Sequence, residues 1–116
     1  MGAFATRQVV LLPFPFSDLT ASKLRPALVL ANAGKGDWVL CQITSNPYAD
    51  PSAVLIDDTD FAQGSLQRVS YARASKLFTA HEKLFQRVAG QLKPACHANL
   101  VRVIVDLLLA GAVHDR

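Results

Sequence analysis

Ala27-Leu28-Val29-Leu30-Ala31, then Asn32-Ala33-Gly34-Lys35-Gly36-Asp37, then Trp38-Val39-Leu40-Cys41-Gln42-Ile43-Thr44 is the stretch that decides how this chain folds. The outer segments read as strands, and the middle one, rich in glycine, as the hairpin connection between them. Near-continuous apolar character in both strands predicts a central place in the sheet.

Immediately upstream, Ser17-Asp18-Leu19-Thr20-Ala21-Ser22-Lys23-Leu24 leans polar and separates Arg25-Pro26 from an earlier apolar run. Arg25 therefore stands at the root of a loop between two buried strands, held by the sheet while the loop above it is free to close over a ligand. That is the layout of a phosphate-handling site. The earlier run, Val9-Val10-Leu11-Leu12-Pro13-Phe14, reads as a first strand. Pro13 and Pro15 confine its end to an edge, a bulge or a barrel rim, because proline cannot donate to a ladder.

Downstream, the prolines and asparagine of Ser45-Asn46-Pro47-Tyr48-Ala49-Asp50-Pro51 mark a loop, and Ala53-Val54-Leu55-Ile56 a short fourth strand. Asp57-Asp58-Thr59-Asp60 offers an N-cap to a brief helical turn ending near Gly64. Val69 to Phe78 alternates as a fifth strand, its polar face carrying Ser70, Arg73 or Lys76 according to register. Arg87 to Leu92 is a sixth. Pro94 suits the first turn of a helix from about Ala95 to Ala110, with Gly111 as its C-cap. Leu100, Val103, Ile104, Leu107 and Leu108 recur at threes and fours and predict one buried stripe. Val101, Val105 and Leu109 fall on other faces, and a helix so apolar all round predicts a dimer surface. Short strands followed by one substantial helix predict a mainly β fold: a small, strongly bent antiparallel barrel of about six strands with a C-terminal helix.

Composition sets the outer limits. A chain of 116 residues, 51% of them hydrophobic, predicts a single domain over 1–116 with a real core and excludes disorder. A net charge of +3 is compatible with a polyanion partner but far below that of an arginine-rich binder. Cys41 and Cys96 read as reduced core thiols, which points to the cytosol. The N-terminus lacks the pattern of a secretion signal, and no unbroken apolar run approaches the length of a membrane span.

Several of these segments are familiar in combination. Val9 to Leu19, Lys23-Leu24-Arg25-Pro26-Ala27-Leu28-Val29-Leu30 and Cys41-Gln42-Ile43-Thr44-Ser45 closely resemble the MazF/PemK family of toxin–antitoxin ribonucleases. The likeness continues through Asp60 to Leu66, Tyr71-Ala72-Arg73, Lys76-Leu77-Phe78-Thr79 and Gly90-Gln91-Leu92. The resemblance implies an SH3-like, CcdB/PemK-type barrel that forms a homodimer in the bacterial cytoplasm. It implies metal-independent, cofactor-free cleavage of single-stranded RNA (mRNA) at short motifs, silenced by a cognate antitoxin protein. Arg25 takes the place of the family's catalytic arginine and Thr44 that of its catalytic threonine, with Ser45 beside it, and Arg73 falls on a third functional position. The chain departs from the pattern at the first loop, where an acidic residue has no counterpart near Thr20. It departs again at Ser75, where an aspartate is common, and at Arg7-Gln8, where Gly-Asp usually opens the fold.

The residues suit that chemistry. Attack of a ribose 2′-hydroxyl on the neighbouring phosphorus builds a doubly charged phosphorane, and the planar, permanently charged fork of Arg25 can meet two of its oxygens. Guanidinium does not readily deprotonate, so Arg25 is assigned electrostatic stabilisation. Thr44 would set a hydroxyl beside the same phosphate, with Ser45 supplying a second hydroxyl or its N–H. Phe16, Tyr48 and Tyr71 are the candidate base stackers, and Lys23, Arg68, Arg73 and Lys76 the candidate phosphate contacts. His81, His97 and His114 share no spacing that predicts a common pocket, and no metal-binding motif is present, so no metal is expected. The alternative reading is a non-catalytic toxin or binding module of the same fold. It would be either a CcdB-like gyrase inhibitor, against which the ending Ala110-Gly111-Ala112-Val113-His114-Asp115-Arg116 argues for want of the Trp-Gly-Ile that group carries, or an SH3-like domain binding RNA or peptide.

Overall fold

In the computed structural model, which describes residues 3–14, 23–47 and 49–114, the central hairpin holds the middle of the sheet. The strands are β1 (Gln8–Pro13), β2 (Leu24–Gly34), β3 (Asp37–Thr44), β4 (Ala53–Ile56), β5 (Phe61–Gly64), β6 (Ser70–His81) and β7 (Arg87–Leu92), followed by α1 (Pro94–His114). Among the described residues they form one antiparallel sheet in the order β4-β6-β3-β2-β1-β7-β5.

The apolar runs have a physical cause: both faces of the central strands are covered. Val9, Leu28, Cys41 and Ile43 point to one core with Ile56, Phe61, Ala72, Leu92 and Leu100 of α1. Their sequence neighbours Val10, Ala27, Val29 and Leu40 point to a second core with Leu12, Phe14, Trp38 and Phe85. Side chains alternate across a strand, so burial on both faces demands an apolar residue at every position. Edge-on rings at Phe4–Phe85 and Phe14–Phe78, with centroids 4.9 and 5.1 Å apart, close the second core.

Three expectations need correction. The turn after Asp57 is a single 3₁₀ turn, Asp58–Asp60, capped by Asp57 as expected, but Phe61–Gly64 is then a strand and not more helix. It pairs with β7 because Gly90 has no Cβ: one built there would stand 2.5 Å from the Gln63 carbonyl oxygen and 2.8 Å from the Phe61 ring. Only Phe61 of the four is buried, so no alternation announces the strand. The helix does not end at Gly111 but runs through it to His114. The buried stripe also stops early: Leu100 and Ile104 are buried, whereas Leu107 and Leu108 are exposed, along with Val105 and Leu109. Although no unbroken apolar run is that long, Pro94–Gly111 is long and apolar enough on average to cross a bilayer. It carries Arg102 and Asp106 and packs Leu100 into the barrel core.

Candidate functional site

The Arg-Pro dipeptide shapes the site. Arg25 is the second residue of β2 and pairs with Leu12 of β1, while Pro26 pairs with Leu11. The β2–β3 ladder starts only at Ala27↔Gln42, directly after the proline, which has no amide hydrogen to give. Continuing that register two residues puts Arg25 across from Thr44, the last residue of β3. Between these unladdered ends lies a cleft of about 260 Å³. Arg25, Pro26, Thr44, Ser45 and Asn46 form one side of it, with Leu66, Arg68 and Ser70 contributing from the segment that leads into β6.

Arg25 holds a donor in reserve. Its Nε is buried and has no hydrogen-bond partner among the described residues. Buried donors are nearly always satisfied, so an unspent one on a permanent cation marks a place prepared for an anion. Thr44, 8% exposed, uses Oγ1 to accept from the Asn46 amide at 3.1 Å. That bond fixes the oxygen and leaves the hydroxyl hydrogen without an acceptor among the described residues. Ser70 is buried, its hydroxyl donating to the Arg68 carbonyl at 3.3 Å, and the exposed Arg68 guanidinium adds a second positive charge at the cleft.

The structure thus brings together Arg25, Thr44, Ser45 and Arg68. Lys23, just before β2, and Lys76, on β6, are exposed and do not line the cleft, and Tyr71 is half-buried as the cross-strand partner of Thr44. Phe16 and Tyr48 lie outside the described residues. Arg73 does not line the cleft and donates from Nε to Asp50 Oδ2 at 2.9 Å. Ser75, at the position where an aspartate is common, donates its hydroxyl to the same oxygen at 3.0 Å. The carboxylate missing from β6 is supplied from the loop after β3. Hydrogen bonds from Ser52 and Arg73 hold the Asp50 carboxyl well below the usual carboxylate range.

Asn46 and Ser70 were not singled out for the site from sequence. Ser70 was recoverable from the alternation of β6, where Ser70, Ala72 and Ala74 all face inward. Asn46 gave no signal, since its place depends on the loop turning back over Thr44. The histidines lie elsewhere: His81 packs on Gly36 and accepts from the Lys83 amide, and His97 stands in the first turns of α1. Among the described residues no three His, Cys, Asp or Glu side chains converge as metal ligands would.

Comparison with known proteins bears on the fold and the family. Residues 6–108 match the model of the family described as PemK-like, MazF-like toxin of type II toxin–antitoxin system. The sequence finds no significant match among curated proteins. Among solved structures, MazF from Deinococcus radiodurans superposes with a TM-score of 0.71 at 19% identity, covering 93% of this chain and 98% of that one. An endoribonuclease in complex with its cognate antitoxin from a mycobacterial species gives 0.67 at 18% identity, covering 95% and 96%. The Mycobacterium tuberculosis toxin MazF-mt6 gives 0.67 at 17% identity, covering 86% and 94%. At these identities the likeness establishes the fold.

Proposed function

The chain belongs to the family of PemK-like, MazF-like toxins of type II toxin–antitoxin systems, and we propose that it is a metal-independent, sequence-selective endoribonuclease of single-stranded RNA. The observation that carries this reading is the buried Nε of Arg25, without a partner among the described residues, across from the Thr44 hydroxyl in one cleft. A scissile phosphate seated there meets the guanidinium on its non-bridging oxygens and the hydroxyl of Thr44 on a third side. Both interactions strengthen as the 2′-hydroxyl attacks and charge builds on phosphorus, which is the condition for lowering the barrier. Ser45 and Arg68 extend the positive, donor-rich wall along the strand of RNA. Single-stranded RNA fits because its phosphates and unstacked bases are accessible together.

Attack by the 2′-hydroxyl expels the 5′-oxygen and leaves a 2′,3′-cyclic phosphate on one fragment and a 5′-hydroxyl on the other. The experiment is end analysis of fragments made from a long single-stranded RNA. Cyclic phosphates at a recurring short motif uphold the reading, and 5′-phosphate ends refute it.

On the same reading the toxin acts in the bacterial cytoplasm as a homodimer and is silenced by a cognate antitoxin. The solved mycobacterial endoribonuclease with its cognate antitoxin supports the second part. The exposed Val105, Leu107, Leu108 and Leu109 of α1 support the first, since an apolar strip of that kind is normally covered by protein.

A further inference from the structure

The Asp50–Arg73 pair is better built than a surface ion pair and lies one loop away from the reacting groups. The Asp50 and Arg73 side chains are 6% and 16% exposed. Both carboxylate oxygens are occupied, each by a different part of the chain. Oδ1 accepts from the amide and hydroxyl of Ser52 at 2.8 and 2.7 Å, closing the loop on itself. Oδ2 accepts from Arg73 Nε at 2.9 Å and Ser75 Oγ at 3.0 Å, tying that loop to β6.

Each partner belongs to an irregular segment. In the loop, Ala49 has a φ of 56°, a left-handed conformation that a non-glycine residue keeps only where its surroundings impose it. In β6 the register against β3 slips, Cys41 pairing with Leu77 and Ile43 with Ala72, so Arg73 to Lys76 face Gln42 alone. The Cys41 thiol, which burial pushes up to about 12, donates to the Arg73 carbonyl at 3.1 Å and anchors that stretch from below.

We infer that Asp50 and Arg73 form a positioning clamp that holds the Ser45–Asn46 wall of the cleft and, through the Asn46 amide, the Thr44 hydroxyl. The inference rests on the ribonuclease reading for its kinetic consequence. The loop leaves β3 directly after Thr44, and the Asn46 N–H that fixes Thr44 Oγ1 is part of it. Slackening the loop at Asp50 loosens that bond and lets the hydroxyl turn. Small misplacements of this kind cost up to about 100-fold in rate with little effect on binding.

The test compares wild type with Asp50→Asn, Arg73→Gln, the double variant, and Asp50→Asn combined with Ser75→Asp, all on one short RNA. Each single variant is expected to lower kcat about ten-fold with KM and the salt dependence of RNA binding unchanged. The double variant is expected to be no worse than either single one, because the two residues act as a unit. Ser75→Asp returns a carboxylate beside Arg73 and is expected to recover most of the loss. Amide hydrogen exchange at Asn46 is expected to speed up in Asp50→Asn, a readout that needs no catalysis.

The inference is overturned if Asp50→Asn raises RNA affinity, as freeing an arginine for phosphate would, while Arg73→Gln lowers it and flattens the salt slope by about 1. Should Asp50→Asn lose the fold, Ser75→Ala carries the test: slower turnover at unchanged KM upholds the clamp, and unchanged turnover overturns it. A wild type that cleaves no RNA defeats the ribonuclease reading instead, and the Asn46 exchange then decides the clamp by itself.

Discussion

Thr44 does two things with one oxygen, and separating them gives the first prediction at the residue scale. Its Oγ1 accepts from Asn46 and its hydrogen remains for substrate. Thr44→Val keeps shape and β-branching, so the strand should hold. Loss of one transition-state donor is expected to cost about 3 kcal/mol, read as kcat down at least 100-fold with KM little changed. A variant that kept wild-type turnover would remove Thr44 from the chemistry. His97 provides a second prediction. Its Nδ1 is buried without a partner among the described residues, and burial, followed by the positive charge of Arg7, lowers its pKa below the ordinary imidazole value. The unfolded chain therefore takes up this proton at a higher pH than the folded one. Stability should be full above about pH 6.5 and decline on acidification below it until the folded ring itself protonates. Asp50 adds no slope in that range, because its carboxyl is ionised there in both the folded and the unfolded chain and its stabilisation is lost only at lower pH. Melting temperatures between pH 8 and 5 check this: His97→Gln should flatten the slope, and an unchanged slope would assign it to another group.

At the scale of elements, two glycines separate what packing dictates from what local conformation dictates. Gly90 lies against β5, and Gly90→Ala drives a methyl into the Gln63 carbonyl and the Phe61 ring. A destabilisation of about 1–3 kcal/mol is expected, with β5 detaching first. Gly111 sits in the helix with nothing within 4 Å of its would-be Cβ. Gly111→Ala should stabilise by roughly 0.5–1 kcal/mol. A drop in Tm would instead restore Gly111 to the left-handed cap read from sequence. The same pair shows what was legible beforehand. β2, β3, β4 and β7 could be placed because two buried faces, or flanking turn residues, write themselves into consecutive residues. β5 could not, since its pairing depends on the absence of a side chain at Gly90, its neighbour in the sheet but far enough along the chain to be invisible to local pattern. Arg25 and Thr44 could be named as candidates through the family resemblance, and the structure sets both on one cleft, where the ladder between β2 and β3 stops at the proline. The Asp50–Arg73 contact was not, as it joins a loop to an irregular strand 23 residues on.

For the whole molecule, the exposed end of α1 is the feature the single chain leaves unexplained on its own. Leu108 is 59% exposed and Leu109 58%, and the proposed homodimer would cover them. Leu108→Glu is expected to shift the protein from dimer to monomer in sedimentation, with the sheet intact by circular dichroism; a wild type already monomeric at high concentration would contradict it. The central claim concerns the cleft, and one measurement addresses it most directly: cleavage of a long single-stranded RNA in EDTA by wild type and by Arg25→Ala of matched fold. The account predicts cuts at a recurring short motif by wild type, and turnover reduced at least 100-fold in the variant, the size expected for losing a preorganised charge on the transition state. Equal cleavage by both proteins, or none by the folded, antitoxin-free wild type, would contradict it.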